Sequence, residues 1–171
     1  METRLGLAMP ELEIPPRGTR GTDPPGGALL QRLIKPLAGM MVSRYRKSKG
    51  PTPPVMMGFP TVLLTTVGAR TGNEHTHVLG GFAEGGDRWL VVASKGGSAT
   101  HPHWFINLCK NPDRVWLEIG SRKVKVSPTV LKGAERETAY AKVVAVAPRY
   151  GSYLTKTDRE IPVIRLEPVT E

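Results

Sequence analysis

The sequence predicts a mainly β fold of the α+β kind: an antiparallel sheet that curls into a small barrel, with a few flanking helices. Three observations predict it. Short runs rich in β-branched residues follow one another closely from residue 61 onward. Tight-turn signals separate them, among them Ala69-Arg70-Thr71-Gly72, Glu84-Gly85-Gly86-Asp87 and Gly120-Ser121. The early runs also lack the intervening helices that parallel crossovers require. Closing such a sheet into a barrel removes its exposed edges.

The elements follow in order. TVLLTTV (61–67) reads as a strand, ARTGN (69–73) as a turn, and HTHVLGGFA (75–83) as the antiparallel return. After the 84–87 turn comes RWLVVAS (88–94). HPHWFINLCKN (101–111) reads as a short helix, with Pro102 in its first turn and Trp104, Phe105 and Leu108 on one face. RVWLEIG (114–120) and RKVKVSPTVL (122–131) alternate as a hairpin, GAERETAYAKVVAVA (133–147) is helical, and IPVIRLEP (161–168) is a last strand.

Upstream the pattern differs. Residues 1–27 are rich in Pro and Gly without periodicity and read as a flexible arm. Residues 28–54 read as a basic amphipathic helix and a linker: Leu29, Leu30, Leu33, Ile34 and Leu37 recur at helical spacing, and KGPTPP (49–54) breaks regular structure. Pro36 is expected to bend or end that helix. Residues 28–49 carry six Lys or Arg and no acid. Residues 55–171 then form the barrel domain.

The bulk numbers narrow the function. A chain of 171 residues is one domain with an extra segment. Nothing resembles a secretory signal or a stretch of about 20 apolar residues able to span a bilayer. Cys109 is alone, which excludes an internal disulfide and suits a reducing cytoplasm. The formal charge of +9 implies an anionic partner: nucleic acid, an acidic membrane surface or a polyanionic cofactor. RNA-binding folds display an aromatic platform that is missing here, which argues against nucleic acid.

Two turns carry the chemistry. Ser94-Lys95-Gly96-Gly97 sits where a strand gives way to a helix; glycines admit close backbone approach, and Lys95 adds a charge. Taken singly, it lacks the spacing of the known phosphate loops and equally suits an ordinary turn. Arg70 and Thr71 lie in a second basic turn, and two such turns converging on one groove suit a ligand with phosphate or several carboxylates. The histidines His75, His77, His101 and His103 do not form a recognised zinc pattern, so no metal site is assigned. Cys109 reads as a small buried hydrophobe. Tyr150 and Tyr153 are one helical turn apart and either line a pocket or pack the barrel rim.

Several ungapped blocks in fixed order carry a family resemblance: LLTTVGARTG (63–72), VVASKGG (91–97), HPHWFINLCKNP (101–112), IGSRKV (119–124) and TDREIPVIRLEP (157–168). From about Pro60 to Pro168 the chain resembles the deazaflavin-dependent nitroreductases of actinobacteria, which use coenzyme F420. The resemblance implies a split β-barrel related to FMN-binding barrels. It also implies roles. F420 carries a phosphate and an oligoglutamate tail; Arg70, Thr71, Gly72 and Lys95 match contacts to that tail, and Ser94 a residue near the ring. His103, Trp104 and Asn107 match the helix lining the cofactor groove. Tyr150 and Tyr153 match two tyrosines on the substrate side. Two positions depart from the family pattern: Ala147, where the best-known nitroimidazole reducer has a third tyrosine, and Ala69, where a basic residue often precedes the arginine.

The expectation is therefore an F420H2-dependent oxidoreductase. It would pass a hydride to an electron-poor acceptor such as a quinone, with nitro compounds as further acceptors, and Tyr150, Tyr153 and Ser94 would position that acceptor. An F420 carrier without turnover and an FMN-dependent reductase on the same barrel are the alternatives. The basic segment 28–49 equally suits contact with an anionic membrane, on the inner face of the plasma membrane, and packing across the barrel mouth.

Overall fold

The structure is a computed structural model and describes residues 9–22, 27–48 and 50–170. Of the expected arm, residues 1–8 and 23–26 lie outside the described residues, as does Lys49 of the linker.

Strand β1 (Val55–Met56) bridges to the start of β2 (Phe59–Val67), whose residues are almost all buried because β3 (Glu74–Gly80) flanks it on one side and β6 (Trp116–Ile119) on the other. The strand expected over 75–83 is divided at Gly81. There the Gly81 N–H donates to the Pro60 carbonyl at 3.0 Å, and a Cβ would collide with the Val62 side chain. Beyond this bend the chain continues as β4 (Phe82–Gly85), which pairs with β5 (Arg88–Val92) instead of β2. A bend that no larger residue fits thus moves one stretch of chain from one half of the sheet to the other.

The eight strands run in the order β1–β2–β6–β7–β8–β5–β4, with β3 also pairing β2, β7 spanning Arg122–Val130 and β8 Val163–Pro168. Every pairing is antiparallel. The first half of β7 pairs with β6 and the second half with β8, so this strand joins two curled sheets. Because β3 and β4 are consecutive in the chain, the two outer strands meet through Gly81 itself. This is the curled antiparallel barrel that the sequence predicts.

Alternation places the core. Val91 and Ile164 point into the barrel, while their neighbours Leu90, Val92 and Val163 point to a second, outer cluster. Helix α2 (His103–Lys110) contributes Trp104, Phe105, Leu108 and Cys109 to the interior. Helices α3 (Gly133–Val146) and α4 (Arg149–Lys156) cover the outer face with Tyr140, Val143 and Tyr150. Burying each large side chain of this kind stabilises the fold by roughly 1.5–3 kcal/mol.

Helix α1 runs from Gly27 to Lys47 with Pro36 inside it, so Pro36 does not end the helix. Residues 32–40 are exposed, so water can satisfy the carbonyl that the missing Pro36 N–H leaves free. The C-terminal end is anchored firmly. The buried Tyr45 hydroxyl donates to the Glu118 carbonyl at 3.0 Å and accepts the Gly120 N–H at 2.9 Å. Arg46 grips the Glu118 carboxylate with two bonds of 3.0 and 2.6 Å. Residues 9–22, part of the arm expected to be flexible, are tied along the barrel. Leu12 N–H bonds the Cys109 carbonyl at 2.8 Å, and Leu12 and Ile14 pack on the interior cluster. Sequence periodicity does not reveal this, because the segment has no regular secondary structure of its own. Among the described residues no helix is long and apolar enough to cross a membrane.

Candidate active site

A groove of about 420 Å³ opens where β3, the turn after β5, and helices α1, α2 and α4 meet. Its walls include Phe59, His77, Leu79, Trp104, Tyr150 and Tyr153, and α1 overhangs it with Ala38 and Met41. Lys95 and Arg149 are its fully charged side chains, and no carboxylate lines it. Such a site favours a ligand that is apolar in one part and anionic in another.

Ser94 and Lys95 both line the groove, as expected. Residues 95–97 form a single tight turn in which Lys95 has φ 44°, Gly96 φ 63° and Gly97 φ 84°. Glycine adopts these values freely; lysine does so under strain, so the surroundings must impose it. They do. The buried Arg159 guanidinium donates to the carbonyls of Ala93, Ser94 and Ser98 at 3.0, 2.8 and 2.7 Å, and lies 3.2 Å from His101 Nδ1. Gly97 N–H closes onto the Ser94 carbonyl and Ser98 N–H onto that of Lys95. The N–H groups of Lys95 and Gly96 are then left without a carbonyl partner among the described residues. Lys95 Nζ donates to Thr100 Oγ1 at 2.8 Å, and burial, followed by repulsion from Arg159, pulls its pKa below the ordinary lysine value. The Lys95 ammonium and the two free amides, in a groove that no carboxylate lines, form a donor set suited to an anion.

Tyr150 and Tyr153 also line the groove. Tyr150 is 6% exposed and stands edge-on to Phe59, Phe82 and Tyr153, with ring centroids 5.7, 5.4 and 5.4 Å away. Its hydroxyl occupies the space that a Cβ on Gly80 would fill. Burial, reinforced by Tyr153, raises its pKa well above the ordinary tyrosine value, so the hydroxyl keeps its proton. Sequence spacing put these two tyrosines on one face; helix α4 aims that face into the groove.

Trp104 lines the groove from the first turn of α2, whereas His103 and Asn107 do not. Asn107 instead accepts the Ala69 N–H at 3.0 Å and so holds the 68–73 turn against α2. In that turn Gly72 has φ 70° and its N–H bonds the Gly68 carbonyl at 2.9 Å. Arg70, Thr71 and Gly72 are exposed there, outside the groove wall. The two basic turns therefore flank α2 and do not enter one cavity. A ligand reaching both must be long: the eight residues of α2 span about 12 Å.

His77 lines the groove, and burial lowers its pKa, with smaller contributions from His75 and His103. Among the described residues no three His, Cys, Asp or Glu side chains gather as a metal-ligand set. Burial pushes the Cys109 thiol up to about 12, which leaves it unreactive. Sequence reasoning missed Arg149, whose guanidinium lies 5.8 Å from the Phe59 ring centroid, and Arg159, which sets the turn. An arginine next to Asp158 and Glu160 looks in sequence like part of a solvated charge run.

Comparison with known proteins agrees with this geometry. The family model described as F420H(2)-dependent quinone reductase matches residues 38–168. A Mycobacterium tuberculosis protein named as an F420H(2)-dependent quinone reductase is 37% identical over 112 residues, covering 63% of this chain and 72% of its own. A solved structure described as an F420-H2 dependent reductase has a TM-score of 0.58 at 39% identity and covers 63% of this chain and 94% of its own. Another, described as a domain-swapped dimer, has a TM-score of 0.59 at 34% identity, over 75% of this chain and 97% of its own. With the family model matched over residues 38–168, most of its length, this chain belongs to the F420H2-dependent quinone reductase family.

Proposed function

We propose that the protein reduces a quinone-like acceptor with F420H2. When bound, the reduced deazaflavin supplies the hydride. The chain's own residues do the rest. The Lys95 and Gly96 amides and the Lys95 ammonium would hold the cofactor's phosphate region, and Ser94 would stand near the ring. His103 and Asn107 on α2, with Arg70, Thr71 and Gly72 beyond it, would hold the oligoglutamate tail. Trp104, Phe59 and Leu79 supply apolar walls, and α1 covers the groove so that water is excluded at the reacting atoms.

A quinone oxygen gains negative charge as hydride reaches the ring, and a positioned hydroxyl stabilises that charge. Tyr150 suits this task, since burial keeps it protonated. Tyr153 and Ser94 complete the set of hydroxyls on the groove wall. Nitro compounds present similar oxygens and would be accepted as secondary substrates. The observation that carries the reading is the meeting of a strained, cation-backed turn with buried Tyr150 and half-buried Tyr153 in one acid-free groove.

The acceptor's lipid solubility fits helix α1. Leu30, Leu33, Ile34, Leu37 and Met40 are exposed along it, close to Arg32, Lys35, Arg44 and Lys47. Such a face suits peripheral contact with an anionic bilayer, on the cytoplasmic side of the plasma membrane, beside the groove mouth. Binding of the full chain to phosphatidylglycerol vesicles should then exceed binding to phosphatidylcholine vesicles and fall on replacing Leu33 and Leu37 with Glu; equal retention by the variant rejects the contact.

One titration separates the enzymatic readings. The purified protein should quench F420 fluorescence saturably, bind FMN weakly, and oxidise F420H2 only when a soluble quinone is added. Tight FMN binding without F420 binding would establish the FMN reductase instead, and F420 binding without acceptor-dependent oxidation would establish a carrier.

A further inference from the structure

The family model begins at residue 38, so residues 9–22 lie outside the part of the chain that defines the family. Yet this segment is bonded to the back of the cofactor turn. Thr22 donates its N–H to the Gly97 carbonyl and its hydroxyl to the Gly96 carbonyl, both at 2.9 Å. Gly18 N–H donates to the Ala99 carbonyl at 2.8 Å, and His101 Nε2 lies 2.7 Å from the Pro15 carbonyl. The fit is close enough to require glycine twice: a Cβ on Gly21 would overlap the backbone of Ser98 and Ala99, and one on Gly18 would overlap Asp158.

Asp158 fastens the same segment from the other side. Its carboxylate accepts the N–H groups of Thr19 and Arg20, both at 2.9 Å, and the Thr19 hydroxyl. Thr157 Oγ1 donates to the Arg20 carbonyl at 2.8 Å, and Arg20 donates to the Thr155 carbonyl at 3.0 Å. Asp158 and Thr157 directly precede Arg159, the residue that grips the turn from below. The carbonyls of Ser94, Gly96, Gly97 and Ser98 are thus engaged by Arg159 or Thr22, and that engagement orients the peptide planes of the turn.

We propose that residues 11–22 are a positioning strap for the cofactor. By holding the carbonyls of Gly96, Gly97 and Ala99 from behind, they pre-set the Lys95 and Gly96 amides before the cofactor arrives, and so they contribute to affinity and not to the chemical step. Pre-organisation raises affinity by removing an ordering cost that binding would otherwise bear. The inference rests on the cofactor site assigned above.

Two full-length variants test it: Gly21→Val, which displaces the strap from Ser98 and Ala99, and Asp158→Ala, which unfastens it at an exposed site. Dissociation constants for oxidised F420 should rise about tenfold in Gly21→Val and less in Asp158→Ala, the scale of one or two net hydrogen bonds. Asp158→Asn, which keeps an acceptor for the two N–H groups, should restore most of the affinity. Amide exchange at residues 95–99 of the cofactor-free protein should speed up in both disrupting variants, while kcat at saturating cofactor stays unchanged. Unaltered F420 affinity in both variants overturns the strap. Lys95→Ala distinguishes the layers: if it weakens F420 binding while the strap variants do not, the strap alone falls; if it too has no effect, the cofactor site is misassigned.

Discussion

The two basic turns on either side of α2 differ in how they are held. The 94–98 turn carries a strained lysine, a buried arginine beneath it and a threonine of the strap behind it. The 68–73 turn rests on one Asn107 bond and its own internal hydrogen bonds, and its arginine is exposed. Rigidity is expensive to build and is useful where atoms must be placed within a fraction of an ångström. A mobile cation serves where a flexible anionic chain needs only to be attracted. The first turn therefore suits the proposed cofactor's phosphate region, next to its ring, and the second suits its tail.

The largest effect should come from removing the support of the rigid turn. Arg159→Leu strands buried carbonyls of Ala93, Ser94 and Ser98 and should cost about 3 kcal/mol or more of stability by urea denaturation, with F420 binding lost. A loss under 1 kcal/mol with normal binding would mean that the turn holds its own shape. Next comes the chemistry opposite it. Tyr150→Phe keeps the aromatic cluster and should lower quinone turnover by about a hundredfold while F420 affinity changes little; unchanged turnover would remove the hydroxyl from the mechanism.

Electrostatic changes at the two turns should then separate them. Lys95→Ala should weaken F420 binding by about tenfold, with and without the polyglutamate tail. Arg70→Ala should weaken it by about threefold, only for the tailed cofactor, and the difference should vanish in high salt. Equal responses to tail removal would erase the distinction drawn here.

The smallest effect concerns pH. His101 sits between the Pro15 carbonyl and Arg159, and burial, Arg159 and Lys95 hold its pKa below the ordinary 6.5 despite the hydrogen bonds to Pro15 and Pro16. The folded protein thus carries this histidine neutral while the unfolded chain protonates it. Stability linked to His101 is complete above pH 6.5 and declines as pH falls from there toward the lowered folded value. His77 contributes in the same direction. Replacing His101 with Gln, which can accept from Arg159 and donate to Pro15 without titrating, should flatten the fall in denaturation midpoint between pH 7 and 5.5. An unchanged slope assigns the effect to His77.

Much of the site was visible in the residues, because its parts are local. A strand followed by Ser-Lys-Gly-Gly announces a turn, and tyrosines three apart on a helix must share a face. What escaped depends on contacts across long sequence separation. Arg159 meets Ala93 and Ser94 across more than 60 residues, and Asp158 meets Thr19 across 139. Neither leaves a periodic trace. Pro36 failed as a helix terminator for a related reason: its cost is local, but the anchoring of Tyr45 and Arg46 on Glu118 and Gly120 fixes the following helical turns from outside.

The residues alone determined a barrel of short antiparallel strands, two basic turns, and a tyrosine pair, since hydrophobic alternation, glycine's freedom at positive φ and helical spacing act within a few residues; that the two turns flank α2 and do not share a groove came from the structure. Tertiary structure decided which turn is rigid, that Gly81 passes the chain between the two halves of the barrel, and that an irregular segment near the N-terminus straps the turn from behind. Those outcomes rest on buried carbonyls that must find donors wherever the fold brings them, and the chain that supplies the donors is distant in sequence.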